Sequence, residues 1–510
     1  MPTKRKTRKK SSSHGPKVRV RMYRQGLGDC FLLTFYTGDK PVNILIDCGT
    51  LGSSRGIKMP DIVKNIAAAT KEGSSKSHLD VLVATHEHRD HVSGFGGDPS
   101  PFDETKFKVD RAWVAWTEDP NDPFAKKITR YKGDLKLAVA LAADALAGSN
   151  PVDGERADHD DNASGMRELF GFFADVSDGA PLAATLAKGI DTSMRFVTER
   201  AGKHGRFLAP GDCIEENWLP GVRVYVLGPP KSEAALRNMG EHGSPELYSL
   251  AGKLTSDLAA CSQFNISGQT LQKFSADLDA EERQRFEASL PFDPRFRVES
   301  TDEAECRQHF PEYFDKENGW RRIDNDWLNS GSEMAMQLDS YTNNTSLVLA
   351  FELIADGRVL LFPADAQVGN WESWNDPDLK WEITDSKGKQ REVRAADLLA
   401  RTAFYKVGHH SSHNATVKEH GLELMPEGEF VAMIPVDRKV AMKKTPPWNM
   451  PAKALYTRLV EKTNGRVIRA DTLWPEPKFK PSGMTKAEWN DVQQDPRFTI
   501  DNLFIDFELS

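Results

Sequence analysis

Cysteine is scarce in this chain and scattered. The 510 residues hold five, Cys30, Cys48, Cys213, Cys261 and Cys306, odd in number and nowhere spaced as CxxC. That excludes a disulfide framework and a structural zinc knuckle and reads as ordinary reduced thiols. Long hydrophobic runs are missing too. The longest candidates, residues 137–147 and 346–355, are interrupted by Asp144 and Glu352 and fall short of the roughly 18 residues that span a bilayer. No apolar stretch follows the basic start; Ser11, Ser12, Ser13, His14, Gly15 and Pro16 come instead, which is not a secretory signal. The expectation is a cytoplasmic protein with no membrane partner. There is no internal repeat and no long low-complexity tract beyond the first residues.

With 39% hydrophobic and 28% charged residues, the composition is that of a soluble globular protein. Lys and Arg number 67 against 75 Asp and Glu, a net charge of −8, and six of the basic groups sit in the first ten residues. Residues 1–16 therefore read as a disordered basic arm on an acidic body, which argues against a nucleic-acid coat protein while allowing an arm that meets phosphates. One core rarely exceeds roughly 250–300 residues, so this length implies two domains or one catalytic domain with large insertions.

Val18, Val20 and Met22 alternate with basic residues, the period of a half-buried strand. The turn GLGDC follows, then strands over 30–36 and 43–49 and a helix over 60–71 that opens on Pro60. An apolar strand, 79–85, runs into His86. Helical spacing dominates 126–148 and 163–176, and a strand is expected at 221–228. A second insertion, rich in Glu, Asp, Arg and Gln, reads as helical and solvated. Strands return at 346–354, 358–366, 403–410 and 429–436, followed by a helix over 452–463, a strand over 465–470 and a closing alternation over 498–509. The Trp113 and Trp116 pair reads as core packing on a strand, with base stacking at the mouth of a site as the alternative.

His86-Glu87-His88-Arg89-Asp90-His91 is the most informative stretch. Three imidazoles and a carboxylate directly after an apolar strand form a metal-ligand arrangement, and their spacing suits two ions, with His86 and His88 facing one and Asp90 and His91 the other. A dinuclear site also needs a bridging carboxylate and a closing ligand. Asp365 and either His409 or His410 stand at strand ends suited to these roles.

The constellation resembles the metallo-β-lactamase superfamily, and within it the soluble hydrolase domain of the DNA-uptake competence channel and its free-standing relatives. The likeness rests on QGLGDCFLL (25–33), ILIDCG (44–49), THEHRDHVSGF (85–95), NNTSLVLAFEL (343–353), VLLFPADA (359–366) and YKVGHHSSHNAT (405–416). It implies an α/β fold, an αββα sandwich with two large, mainly helical insertions at about 96–205 and 231–340. The hydrolase domain then spans 17–470, and 471–510 is a C-terminal extension with a closing strand. The implied metal ligands are His86, His88, Asp90, His91, Asp365 as the bridge and His409 as the last ligand. Asp90, Asp47 and His410 form the implied catalytic set, with His410 protonating the leaving oxygen. Asn344, Lys406, Ser411, Ser412, His413 and Asn414 are the implied substrate contacts.

Three departures stand out. Asn343-Asn344-Thr345-Ser346 occupies the place of the superfamily's third-motif Gly-His-Thr, Ser411 follows the His pair where a Gly is usual, and Met450-Pro451 replaces a His-Pro. An amide binds zinc weakly, so of two expected Zn²⁺ ions the one at His86 and His88 is the weaker, and Mn²⁺ is an alternative metal. The implied activity is a phosphodiesterase or nuclease that uses a metal-activated hydroxide on a nucleic-acid or phosphodiester substrate. A small-molecule hydrolase acting on a lactone, lactam, ester or cyclic nucleotide, or a metal-binding scaffold without turnover, are the competing classes. No protein partner can be read from the sequence.

Overall fold

The described residues form seventeen strands, most of them on alternating or continuous apolar runs: β1 (Val18–Tyr23), β2 (Cys30–Phe35), β3 (Val42–Cys48), β4 (Ser77–Val83), β5 (Phe107–Ala115), β6 (Arg206–Leu208), β7 (Cys213–Ile214), β8 (Val222–Gly228), β9 (Val348–Leu353), β10 (Val359–Phe362), β11 (Trp381–Thr384), β12 (Gln390–Val393), β13 (Thr402–Lys406), β14 (Val431–Ile434), β15 (Val467–Arg469), β16 (Phe498–Ile500) and β17 (Phe504–Leu509). The structure, a computed structural model, describes residues 17–71, 76–148, 164–174, 176, 182, 192–238, 307–313, 315, 326–384, 388–428, 430–472, 480–481 and 483–510.

One large sheet runs β16-β17-β1-β2-β3-β4-β5-β6 and a second β15-β14-β13-β10-β9-β8-β7, while β11 and β12 form a separate two-stranded sheet. In each large sheet antiparallel strands give way to parallel ones, β3 to β6 in the first and β10, β13, β14 and β15 in the second. Parallel neighbours need long crossovers, and these return over the outer faces as helices. Met59–Ala69 and Thr192–His204 cover the first sheet, Ala395–Leu399 and Lys453–Lys462 the second. Between the sheets, Val20, Phe31 and Leu33 meet Phe351, Leu360 and Phe404. Phe31 stands edge-on to Phe362 at 5.7 Å, and Phe404 stacks on Phe507 at 5.9 Å. The result is the four-layer α/β sandwich that the motifs imply.

One element differs from the sequence reading. Strand β5 lies inside the stretch expected as a helical insertion, and its Trp113 is buried in the inter-sheet core. Lys108, Asp110 and Arg111 load this strand with charge and mask its apolar alternation. The closing strand expected in the C-terminal extension lies inside the first sheet. Strand β17 pairs with β1 from Val18↔Leu509 to Tyr23↔Phe504, and the Arg21 guanidinium grips Asp506 through two bonds of 2.7 Å. The inserted helices Pro123–Gly148, between β5 and β6, and Asp326–Asn344, between β8 and β9, pack together through Leu135, Val139, Met334 and Leu338. The basic arm, Cys261, Cys306 and most of the second insertion lie outside the described residues.

If β17 belongs to the core, Phe507→Ala, made at a fully buried ring, costs about 3–5 kcal/mol of unfolding free energy in denaturant titration. Ile500→Ala, made on the exposed face of β16, stays within about 0.5 kcal/mol.

Candidate metal centre

The chemistry-bearing residues stand where strands end. Asp47 is the last residue but one of β3, β4 leads into Thr85 to His91, β10 into Asp365 and β13 into His409 and His410, while Asp29 precedes β2. The crevice outside the carboxyl ends of parallel strands is where open α/β sheets place their ligands. The backbone here is strained. Of six non-glycine residues with positive φ among those described, five lie in these loops: Asp47 (56°), Ala364 (52°), His409 (40°), His410 (51°) and Ser411 (65°), at a cost of about 1–3 kcal/mol each. Gly28 and Gly49 let the histidine loop seat itself. A Cβ on Gly49 would lie 2.2 Å from the Asp90 carbonyl carbon, and one on Gly28 would lie 2.6 Å from the Asp90 carbonyl oxygen. The Asp29 backbone N–H donates to that oxygen at 2.8 Å.

Asp29, His91, Asp365 and His410 bring one ligand atom each within 4.8 Å of one another, and all four are buried. His91 Nε2 lies 3.1 Å from Asp365 Oδ2. His410 Nε2 lies 2.8 Å from Asp90 Oδ2 and 3.7 Å from Asp365 Oδ2. Alongside, His86 Nε2 faces His88 Nδ1 at 3.1 Å. The outer nitrogens of three rings are held by acceptors. His91 Nδ1 donates to Asp47 Oδ2 (2.8 Å) and His410 Nδ1 to the Pro435 carbonyl (2.7 Å). The Thr85 hydroxyl donates to Asp47 at 2.7 Å, so its oxygen is free to accept from His86 Nδ1 at 3.1 Å. With the outer nitrogen donating, the neutral form of each ring presents its inner lone pair to the centre, the tautomer a metal ligand needs.

The residues fit a cation. Asp29 Oδ1, Asp90 Oδ1, Asp365 Oδ2 and His91 Nε2 are buried with no aligned hydrogen-bond partner, and leaving such atoms unsatisfied costs about 1–3 kcal/mol each. Imidazole and carboxylate donors without thiolates suit a divalent ion. The electrostatics agree. Burial pulls the His91 imidazole down, but Asp365, Asp29 and Asp47 outweigh it and hold it well above its ordinary range. Burial and the neighbouring rings push His86 well below that range, and burial takes His88 to about 3. Burial, reinforced by Asp90 and Asp365, raises Asp339 to about 8. Lys406 offsets part of this negative charge. It reaches Asp29 Oδ2 at 2.5 Å and Asp365 Oδ1 at 3.1 Å, and these carboxylates keep it protonated despite burial.

Of the expected ligands, His91 and Asp365 join the quartet with His410, while Asp90 touches it through His410. His409 stands apart from the quartet. Its backbone N–H donates to Asp365 at 3.0 Å, and its Nδ1 lies 3.2 Å from the Ser412 hydroxyl. Several expected substrate contacts are turned inward. Lys406 is spent on Asp29 and Asp365. The Asn344 amide nitrogen donates to the Leu236 (3.2 Å) and Asn238 (2.9 Å) carbonyls, and its oxygen accepts from the Asn370 backbone (3.1 Å). Ser411 and Ser412 are buried, with Ser412 bonded to Asn414, whereas His413 is exposed. Asp29 and Asp339 were given no role from the sequence. The first lies in the turn of QGLGDCFLL and the second in a polar helix, and neither position by itself marks a ligand. A second group, His78, Asp80 and Asp110, is half-buried on β4 and β5, where Asp110 already pairs with Lys108 at 2.9 Å.

A buried imidazole–carboxylate cluster at the strand ends of an αββα sandwich is the arrangement of a metal-dependent hydrolase. Residues 24–177 match the family model of the metallo-beta-lactamase superfamily, a stretch that contributes Asp29, Asp47 and His86 to His91. That superfamily binds divalent metals, often Zn²⁺. No curated protein matches the chain. Among the described residues no helix is long and apolar enough to cross a membrane.

Removing the cation at Lys406 should expose the crowding of charge. In chelator-treated protein, Lys406→Met is expected to lose about 3–5 kcal/mol, the cost of breaking a buried pair. Added Zn²⁺ should then raise its melting temperature by more than it raises the wild type's; an equal rise in both proteins would contradict this assignment.

Proposed function

We propose that this chain is a metal-dependent phosphodiesterase, with nucleic acid or another phosphodiester as substrate and Zn²⁺ or Mn²⁺ as the metal. The observation that carries this reading is the pairing of two ligand groups side by side, His86 with His88 and Asp90 with His91 and His410, with Asp365 at the second. Divalent ions held there supply an activated water at neutral pH and charge stabilisation for in-line displacement at phosphorus. The chain's own residues do the arranging. Asp47 orients His91, Pro435 orients His410, and the His409 backbone N–H and Lys406 hold Asp365 Oδ1. With one nitrogen on Pro435 and the other facing Asp90, His410 acts as a ligand, and the leaving oxygen takes its proton from solvent. The likeness of QGLGDC, NNTSLV and VGHH to the competence-channel hydrolase supports the same substrate class.

A second reading, a small-molecule hydrolase, is favoured by the wall over His88. Phe172 and Phe173 pack on that ring at 5.0 and 4.7 Å, Phe172 stacks on Trp448 at 5.0 Å, and the Arg89 N–H donates to the Phe172 carbonyl at 2.7 Å. These aromatics narrow the approach from that side.

A panel of single-stranded DNA, duplex DNA, RNA, a chromogenic phosphodiester, a lactone and a β-lactam, run with Zn²⁺ and with Mn²⁺, separates the two. The phosphodiesterase reading expects cleavage of the phosphodiesters, lost on chelation and reduced at least about 10³-fold in Asp365→Ala and His91→Ala. Turnover of the lactone or lactam alone would move the assignment to the second reading, and no turnover of any member would sink both.

A further inference from the structure

Three of the four inward-facing imidazoles have their outer nitrogen on a protein acceptor: Asp47 for His91, Pro435 for His410 and Thr85 for His86. His88 is the fourth. Its Nδ1 faces His86 Nε2, and its Nε2 points at Asp339 Oδ1, 3.9 Å away. Both of these atoms are buried and neither has a hydrogen-bond partner. His88 itself is 1% exposed and Asp339 9%. Asp339 lies near the end of the helix Asp326–Asn344, and its other oxygen accepts from the Asn343 side-chain amide at 3.2 Å. Phe172 and Phe173 flank the His88 ring, so it is confined on the sides that Asp339 does not face.

We propose that Asp339 is the positioning residue of His88: in its ionised form, which a cation in the centre favours, it accepts the Nε2 proton and so presents the Nδ1 lone pair beside His86 Nε2. The assignment rests on the metal-centre reading and gives the second insertion a part in that centre. It also accounts for the asparagines that replace the third-motif histidine. Asn343 tethers Asp339, while Asn344 ties the helix end to Leu236, Asn238 and Asn370. The gap exceeds a hydrogen bond by roughly 1 Å, and it closes as ring and carboxylate settle together. Partners that hold the outer nitrogen of a metal-ligating histidine typically change metal affinity by about 10–100-fold.

Zn²⁺ titrated calorimetrically into the full-length, chelator-stripped protein tests this. The wild type is expected to take two ions. Asp339→Ala should bind one of them about 10–100-fold more weakly, with the other unchanged, and Asp339→Asn, whose amide oxygen still accepts, should recover most of the loss. Unchanged affinity for both ions in Asp339→Ala would overturn the assignment. A wild type that takes one ion would count against the two-ion reading instead. In that event ¹⁵N imidazole spectra of the metal-free protein, taken at a pH high enough to ionise Asp339, decide, with His88 expected to be protonated at Nε2 in the wild type and mixed in Asp339→Ala. Identical spectra would overturn the proposal. If Asp339→Ala does not fold, the Asp339→Asn protein makes the same comparison through the Nε2–H shift, and no change in it has the same meaning.

Discussion

Five carboxylates, Asp29, Asp47, Asp90, Asp339 and Asp365, are buried around four imidazoles at one end of the sandwich, and Lys406 is wedged between two of them. Two unit charges at 4 Å interact by about 4 kcal/mol at the effective dielectric of a protein, so such a group repels itself unless something positive enters. Much of the local architecture serves to hold it together. Strand ends deliver the side chains from both sheets, left-handed residues turn Asp47, His409 and His410 inward, and glycines at 28 and 49 let the Asp90 backbone come close. The imidazoles are sorted by the same field. Against burial, the carboxylates nearest His91 and His410 raise those two imidazoles, while burial lowers His86 and His88. A cation entering the quartet displaces protons and relieves the repulsion at once.

The two insertions are anchored to this group rather than merely attached to the sheet. Glu87, between the first two signature histidines, faces away from the centre and meets Lys132 at 3.1 Å and Lys136 at 2.7 Å, both on the helix Pro123–Gly148. Lys132 is buried and also reaches Glu118 at 3.3 Å. Burial would raise Glu87, but the two lysines hold it far below the usual carboxylate range. The loop that carries His86 and His88 is thus braced from one side by the first insertion and faced from the other by Asp339 of the second.

How much of this was legible follows from what leaves a periodic or clustered trace. Strands β1 to β4 and β8 to β10 alternate or run apolar, and their positions can be read within a few residues. The signature His86 to His91 stands out because imidazoles are rare and here adjacent. Asp29 left no such trace, because a turn aspartate looks the same whether it caps a loop or faces an ion. Asp339 was hidden by composition. A polar insertion reads as solvated, yet the last turns of its helix, Ser340 to Asn343, are buried against the site. Pairing was not legible. Strand β17 reads as a closing strand, yet its partner β1 cannot be named from the sequence, because register between distant segments is not written in either one alone.

That pairing bears on how the molecule is made. On one side β1 is bonded to β2, its near neighbour, and on the other to β17, with Arg21 and Asp506 separated by 485 positions. A chain that emerges from its amino end presents β1 as an open strand edge, carrying Val18, Val20 and Met22, until β17 has been synthesised. The first sheet is therefore closed on that side only after the 485 positions between Arg21 and Asp506 have been made. The nascent protein, more than the finished one, needs to be shielded from pairing with another strand.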